Sequence, residues 1–468
     1  MSEETKIYYA LSLLFSKEEL AASGFAKSFG PERLKKAFRA KVMQCHPDLL
    51  HNLPEGFRMS RHTRFIRIKQ AYEFLSSCMD GARERGESLN WLTIEEKIKA
   101  RSTPDKGRKK TIIAVGGAKG GIGKTVLSAN IAAGLASLGK KVIAVDLDLG
   151  GANLHLHLGV RIPPSTLQHY FNNGKGLHEI CLDTPVNNLK MIAGDSSSLG
   201  MFSITENQKK RLIKDLEEVD ADYLVLDLGG DTSYNMIDFF LSADERIMVT
   251  SPEPASVLDV YNFTKLSVLR YLNQHIFDSL SREEIGMFNG GLDRLKELVL
   301  EATSSSSNGR VQRVDELLAR ITVENERWGR FLQDRIAKLS PYLIVNMMDN
   351  EIKPNLSARI AEIAKRNLSI RLVPLPEIPF DSDVRKTVHY LVPVLLEKPQ
   401  SSAGQAFFKA IRGFLSKNMS DIQLVKLLAA SEDDRIAPAF LESLKKKSKT
   451  GDSDNGQGKL RKLFGGRW

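Results

Sequence analysis

One loop sets the fold of this chain: Gly116-Gly117-Ala118-Lys119-Gly120-Gly121-Ile122-Gly123-Lys124-Thr125. An apolar run typical of a buried strand, residues 111–115, precedes it, and a helical pattern over residues 126–138 follows. The glycines allow consecutive backbone N–H groups to face one phosphate, and the new helix adds the positive end of its dipole. We therefore predict a phosphate-binding loop, in which Lys124 reaches the β- and γ-phosphates and the Thr125 hydroxyl binds Mg²⁺.

A second lysine, Lys119, lies inside the loop, and the run Lys-Gly-Gly-Ile-Gly-Lys-Thr resembles the deviant P-loop of the MinD/ParA family of dimerising ATPases. The sequence departs from the ordinary P-loop expression at Ala118, where that expression has Gly. The resemblance implies an ATP-bound homodimer in which Lys119 touches the partner subunit's nucleotide and acts in catalysis with Lys124. It assigns the nucleotide to Gly120, Gly121, Ile122, Gly123, Lys124, Thr125 and Val126.

The composition is that of a globular protein, because 42% hydrophobic residues suffice for a core. The three cysteines, Cys45, Cys78 and Cys181, form no C-x-x-C pair. They argue against a disulfide framework or a Cys-ligated cluster and fit a reducing cytosol. The N-terminus lacks a secretory pattern, and no apolar run approaches the roughly 18 residues of a membrane span.

The net charge of +10 is concentrated at the two ends of the chain. Residues 1–110 carry 22 Lys and Arg against 14 Asp and Glu, and residues 441–468 carry 8 against 3. The region between them is therefore slightly acidic. We expect no specific nucleic-acid partner for it, since such partners are recognised through basic surfaces.

Near the N-terminus, the pattern predicts helices over residues 31–44 and about 63–77, with a loop up to about residue 61 that contains His46-Pro47-Asp48. The first helix has an apolar face and a basic face. This arrangement resembles a J-domain, the co-chaperone module that stimulates DnaK-type chaperones. It implies that His46, Pro47 and Asp48 contact such a chaperone; a J-like module kept only for docking is the alternative.

The central region alternates strands and helices, which predicts an α/β fold with a mostly parallel, doubly wound sheet behind the small all-α J-like domain. The expected strands are residues 111–117, 141–148, 189–193, 223–229, 246–251, 342–348 and about 370–376. In such sheets ligands bind at the carboxyl ends of the strands.

Three acids follow or end these strands. By resemblance, Asp148 orients or activates the attacking water, Asp146 lies on the Mg²⁺ side, and Asp227 is the second acid that holds Mg²⁺ through water. Either Asp146 or Asp148 could instead cap the helix that follows. His155 and His157 have the spacing of a ligand pair, but a packed or surface role is the simpler interpretation.

Two later motifs resemble the family's base-binding segments. Asn346 follows a strand where relatives contact the base, and Pro379 lies in Pro376-Glu377-Ile378-Pro379-Phe380-Asp381, which matches the late loop that walls the base. Residues from about 273 to 340 exceed the usual family length. Their periodicity predicts an α-hairpin insertion.

The tail, residues 418–468, predicts a helical segment, a flexible linker and a terminal amphipathic helix. It resembles the membrane-targeting helix of MinD and its flagellar relative FlhG. A disordered basic tail is the alternative. The residues expected to contact an anionic membrane are Leu460, Leu463, Phe464 and Trp468.

Together these features predict a J-like module (1–80), a basic linker (81–110), a P-loop ATPase domain (111–417) and the tail (418–468). The expected function is that of a cytoplasmic, Mg²⁺-dependent ATPase with reversible inner-membrane association, which regulates flagellar placement or number, or the division site. An unidentified partner would activate it. A ParA-like DNA or cargo partition ATPase is the alternative. A protein carrier or reductase would need cluster-ligating cysteines.

Overall fold

The computed structural model describes scattered positions between residues 7 and 30, residue 277, and residues 31–43, 55–84, 110–148, 150–195, 204–275, 280–288, 290–303, 314–349 and 355–415. The chain divides into two compact units, Met1–Lys109 and Lys110–Trp468, and each is described by itself.

The first unit contains helices α1 (Pro31–Met43) and α2 (Glu55–Glu84), and the predicted helix at residues 31–44 is confirmed. Its apolar face is buried at Leu34, and Phe38 stacks on Tyr72 of α2 with 4.3 Å between ring centroids. The loop predicted up to about residue 61 is wrong in part, since α2 begins at Glu55. Residues 46–48 lie outside the described residues.

The second unit is built on an eight-stranded sheet in the order β3-β4-β2-β5-β1-β6-β7-β8. All neighbouring strands are parallel except β3 and β4. The strands are β1 (Thr111–Gly116), β2 (Val142–Leu147), β3 (Cys181–Asp183), β4 (Leu189–Ile192), β5 (Tyr223–Leu228), β6 (Glu245–Thr250), β7 (Tyr342–Val345) and β8 (Val373–Pro374).

Helices cover the sheet and connect its strands. They are α3 (Lys124–Ser137), α4 (Leu154–His157), α5 (Leu167–Asn173), α6 (Leu177–Ile180), α7 (Glu206–Glu218), α8 (Tyr234–Ser242), α9 (Pro254–Arg270), α10 (Arg282–Met287), α11 (Leu292–Thr303), α12 (Val314–Glu324), α13 (Glu326–Leu339), α14 (Leu356–Leu368), α15 (Ser382–His389), α16 (Val394–Glu397) and α17 (Ser402–Leu415). A π-helical turn, Tyr271–His275, extends α9.

The predicted parallel α/β fold is confirmed, with three differences in its strands. The last strand, β8, contains only Val373–Pro374 of the predicted residues 370–376. The antiparallel edge strand β3 has only three residues, too few for a recognisable period. Strand β7 ends at Val345, before the predicted residue 348, because Met347 takes the left-handed conformation with φ 58° and turns the chain out of the sheet.

The segment between residues 273 and 340 is more than a hairpin. It contains the four helices α10–α13, and their apolar side chains belong to the same core cluster as the sheet. The fully buried members include Leu295, Val299, Leu317, Ile321, Leu332 and Ile336. The segment is therefore an integral layer of this unit, because it buries its apolar faces against the common core. Among the described helices, none combines the length and apolar character needed to cross a membrane.

Candidate active site

The loop between β1 and α3 has the shape that its glycines predict. Gly121 and Gly123 take left-handed conformations, with φ 80° and 85°. A Cβ atom on Gly117 would lie 2.6 Å from the Val249 carbonyl oxygen, and one on Gly123 would lie 2.3 Å from Asn346 Nδ2. Only glycine fits these two approaches, so the loop can curl tightly at the N-terminus of α3.

Lys124 is buried inside this loop. Its Nζ donates a hydrogen bond to the Lys119 carbonyl oxygen at 2.7 Å. Burial lowers the pKa of Lys124, although the charges of Asp227 and Asp148 oppose that effect. The ammonium group is thus held inside a concave backbone turn, where an anion would gain a strong, little-hydrated contact.

Two buried carboxylates face the loop from adjacent strands. Asp146 on β2 is paired in register with Asp227 on β5, and both are almost fully buried. The Ser128 hydroxyl of α3 donates to Asp227 at 2.7 Å. Burial raises the pKa of Asp227 to about 6 and raises the pKa of Asp146 well above its usual range, where the charge of Asp227 adds to the effect. Two anions held this close in a dry site favour a bound cation.

Both acids of the 146–148 pair also organise the chain that follows β2. Asp146 accepts hydrogen bonds from the backbone N–H groups of Asp148 (3.1 Å) and Leu154 (2.9 Å), the first residue of α4. Asp148 accepts from Gly151 at 3.0 Å. The capping alternative therefore describes a real contact of Asp146, whereas Asp148 binds the turn that precedes α4. Because a carboxylate offers about four acceptor sites, these bonds still leave room for a cation or a water.

The chain after β5 closes over the phosphate loop. A Cβ atom on Gly230 would lie 2.9 Å from Gly120 N and 3.1 Å from Lys124 Nζ. This contact requires glycine and brings the backbone that follows Asp227 against the loop.

Lys119 points out of the loop and pairs with Glu253, which precedes α9. Its Nζ lies 2.8 Å from Glu253 Oε2, and both side chains are substantially exposed. The hydrogen bond between them raises the pKa of Lys119 and lowers the pKa of Glu253. The sequence pointed to Lys119 but not to Glu253 as its partner. Glu253 stands out in the sequence only as part of the Pro252-Glu253 turn that follows a strand.

Asn346 and the late loop reach the same edge of the sheet. Asn346 is buried, and its Nδ2 donates to the Ile122 carbonyl oxygen at 2.9 Å, which ties the end of β7 to the phosphate loop. We call residues 376–381 the base loop. Its Pro379 pairs with Met348, and Phe380 beside it is 69% exposed. The structure therefore brings Asn346 against the phosphate loop, which its amide helps to hold, and pairs Pro379 with Met348 just after β7.

The histidine pair does not face the acids as a ligand cluster. His155 is buried and His157 is half-buried, and burial lowers the pKa of both. Within the described ranges no group of three or more His, Cys, Asp or Glu side chains would hold a metal unaided. A cation near Thr125, Asp146 and Asp227 would need further oxygens from phosphates or water, as Mg²⁺ bound to a nucleotide has.

Residues of two predicted contacts lie outside the part of the chain that the structure describes. These are the chaperone-contact residues 46–48 and the membrane-contact residues Leu460, Leu463, Phe464 and Trp468.

Comparisons with known proteins agree with this site. The sequence profile of the AAA domain matches residues 110–276. The antiactivator FleN of Pseudomonas aeruginosa is 27% identical over 298 residues, which cover 63% of this chain and 83% of FleN. The septum site-determining protein MinD of Helicobacter pylori is 31% identical over 150 residues, 32% of this chain and 55% of MinD.

The flagellum site-determining protein YlxH of Helicobacter pylori is 33% identical over 165 residues, 35% of this chain and 55% of YlxH. The chain thus spans about half the length of these MinD and YlxH relatives. The phosphate loop with its second lysine, the acids at the strand ends of a parallel sheet, and these relatives together make the chain similar to the MinD/ParA family of P-loop ATPases.

Proposed function

We propose that this protein is a Mg²⁺-dependent, ATP-dimerising ATPase of the MinD/FlhG type, which associates with membranes and regulates where a cellular structure is placed. The observation that carries the ATPase proposal is the pair Asp146 and Asp227 beside Lys124. The two carboxylates lie in register on adjacent strands that end at the phosphate-binding loop. The charge of Lys124, which belongs to that loop, acts on Asp227.

Each residue then has a role that follows from its position. The loop N–H groups and Lys124 bind the β- and γ-phosphates, and Gly123 and Asn346 hold the loop in shape. Thr125 and Asp227 fit a bound Mg²⁺, which would neutralise phosphate charge. Asp148 orients the water that attacks the γ-phosphate in line, which yields ADP and phosphate. Lys119 contacts the partner subunit's nucleotide once the pair with Glu253 opens.

Turnover by the full chain, with and without Lys124→Ala, tests this proposal. We expect wild-type protein to hydrolyse ATP only with Mg²⁺, and Lys124→Ala to lose nucleotide affinity by about 100-fold or more, since a charge-assisted phosphate contact is removed from a dry site. Lys141→Ala is the matched control, because Lys141 lies at the opposite end of β2 and pairs with exposed Asp220. Equal nucleotide affinity of the three proteins would refute the proposal.

Membrane association and spatial regulation rest on the tail and on the relatives. Residues 459–468 combine apolar and basic residues in a helical pattern, and relatives are named for flagellum or septum placement. Each large apolar residue stabilises membrane binding by at most about 1.5–3 kcal/mol, so one tail binds weakly and two on an ATP dimer gain avidity. Pelleting with anionic liposomes and ATP should fall sharply for a chain ending at Gly458. Equal pelleting of the full and the shortened chain would show that the tail does not bind the membrane.

A chaperone partner is the expected role of the first unit. The exposed basic residues of α1, among them Lys35, Lys36 and Arg39, suit an acidic chaperone surface. His46→Gln should abolish stimulation of a DnaK-type ATPase; unchanged stimulation would leave only a docking role.

The ParA-like alternative rests on the same basic ends. DNA affinity that falls steeply with salt would support it over the membrane proposal.

A further inference from the structure

The base loop is held at both ends by carboxylates that accept hydrogen bonds from three helices. At its start, Glu377 Oε1 accepts from the backbone N–H and the hydroxyl of Ser357, at 2.9 and 3.0 Å, in the first turn of α14. At its end, Asp381 binds the N-termini of α15 and α17. Between these two residues, Ile378, Pro379 and Phe380 run along the predicted base site.

Asp381 uses its two oxygens for different helices. Oδ1 accepts from the backbone N–H of Asp383 at 2.9 Å and so caps α15. Oδ2 accepts from the Ser402 hydroxyl at 2.8 Å and from the Ala403 N–H at 3.0 Å, in the first turn of α17. Burial would raise the pKa of Asp381, but these hydrogen bonds outweigh that effect and lower it. The ionised form is the one the site requires, because only a carboxylate accepts at both oxygens.

Helix α17 joins the base loop to the phosphate loop. Its Gly413 lies so close to Leu375, which precedes the base loop, that an added Cβ would be 3.0 Å from Leu375 Cδ2. On another face of the same helix, Ile411 packs on Gly134 of α3, where a Cβ would meet Ile411 Cδ1 at 2.5 Å. Because α3 carries the phosphate loop at its N-terminus, α17 fixes the distance between the two halves of the site.

The inner edge of the base loop is tied to the segment that follows β7. Backbone bonds from Ile378 N to Val345 O (2.9 Å) and from Phe380 N to Met348 O (2.8 Å) align its inner edge with the end of β7. These bonds hold the inner edge of the loop, and the bonds from Asp381 to α17 hold its end. An exposed Phe380 can wall a ring only if that link holds.

We propose that Asp381 is a positioning residue that sets base recognition, through its link from the base loop to α17, in the nucleotide site of the proposed function. Glu377 supports the other end of the loop through one oxygen. The phosphate contacts do not depend on Asp381, since they belong to the loop at Gly120–Thr125 and to Lys124.

The chemistry of the two carboxylates gives an asymmetric test. Asp381→Asn keeps one acceptor oxygen, so it can cap α15 or bind α17 but not both. Glu377→Gln keeps the single oxygen that both Ser357 donors need. Asp383→Asn is the matched control, because Asp383 is adjacent in sequence and its side chain pairs with exposed Lys386.

The experiment measures the dissociation constants of ATP and of inorganic tripolyphosphate, with Mg²⁺, for the full chain by calorimetry. We expect Asp381→Asn to bind ATP about tenfold more weakly, as loss of charge-assisted hydrogen bonds predicts, and tripolyphosphate within about twofold of wild type. The discrimination between ATP and GTP should fall as well. Asp383→Asn should match wild type for both ligands, and Glu377→Gln should weaken ATP binding less than Asp381→Asn does.

Ser402→Ala keeps the carboxylate and removes one donor, so it tests the same link in a protein that retains its caps. It should weaken ATP about twofold to threefold and leave tripolyphosphate unchanged. Equal loss of both ligands, or wild-type ATP affinity in Asp381→Asn and Ser402→Ala, would overturn the positioning role while the ATPase proposal stood. Wild-type protein that binds neither ligand, or a Lys124→Ala protein that binds both normally, would overturn both.

Discussion

Two clusters of the second unit that contain buried carboxylates differ in how their charge is balanced. Asp238 on α8 binds Lys209 Nζ and takes two hydrogen bonds of 2.7 Å from Arg270. Lys209 also pairs with Glu206 at 2.6 Å, so this cluster has two anions for two cations. Asp146 and Asp227 lie side by side at the strand ends, and the lysine that acts on Asp227 is Lys124. The second cluster therefore has two anions for one cation.

This difference separates a structural cluster from a functional one. A buried pair with complete hydrogen bonds adds little net stability but is costly to break. Buried acids without balancing cations keep raised pKa values, and that is the state of Asp227. The phosphate site is therefore held ready for a cation, and the Asp238 cluster locks α7, α8 and α9 together.

The largest effect should come from breaking the balanced cluster. Asp238→Ala leaves Lys209 and Arg270 buried without their common anion, so we expect the free energy of unfolding to fall by about 3–5 kcal/mol. Denaturant unfolding of the full chain measures this. ATP affinity of the remaining folded protein should not change, and a loss of stability below about 1 kcal/mol would contradict the comparison.

At the phosphate site we expect the opposite, a loss of activity without a loss of stability. Asp227→Asn removes the repulsion with Asp146 and keeps an oxygen for Ser128, so the ligand-free protein should be within about 1 kcal/mol of wild type or more stable. Turnover with Mg²⁺ and ATP should fall by about 100-fold or more, because the cation loses an anionic neighbour. A destabilisation as large as that of Asp238→Ala would show that Asp227 is structural.

A smaller effect should come from His157, whose ring is half-buried. Burial, with the charge of His155, lowers the pKa of His157 to about 4, so between that value and its unfolded pKa the folded state binds fewer protons. Stability is then complete above about pH 6.5 and is lost as pH falls toward 4, by roughly 1–2 kcal/mol for a half-buried ring.

Thermal unfolding of wild type and His157→Gln between pH 7 and 5 tests this. The variant should show a flatter dependence on pH over that range. Parallel curves would mean that His157 contributes nothing to the acid sensitivity of this unit.

The smallest effect is expected at an ion pair in water. Lys119 and Glu253 make the same kind of contact as Lys209 and Asp238, but on the surface. Exposed pairs add little stability, so Glu253→Gln should change the melting temperature by less than about 1 °C. A larger drop would mean that this pair stabilises the fold as the buried Asp238 cluster does. The pair would then resist opening, and Lys119 could not readily reach a partner subunit.

Much of the fold followed from local pattern. The run 111–115, the glycines and the periodic residues after Thr125 predicted β1, the loop and α3, because strand period, left-handed glycine and helix period are each set by neighbouring residues. The start of α2 was missed by several residues, since a helix extends through residues with helical propensity without an apolar face.

Site residues were predictable where they end a strand. Asp146 and Asp227 lie near the ends of the predicted strands 141–148 and 223–229, and parallel strands bring their carboxyl ends to one edge. Contacts between distant segments were not predictable in this way. Nothing in the local pattern shows that Glu253 faces Lys119, or that residues 273–340 join the main core.

The sequence by itself determined the phosphate loop, the α/β class and the acids at the strand ends. The tertiary structure decided which groups share charge and which loops share a support: Asp238 with Lys209 and Arg270, Asn346 with Ile122, and Asp381 with α17. The physical reason is range. Periodicity and backbone preference act over a few residues, whereas these pairs form only after the sheet order has brought together residues as far as 224 positions apart.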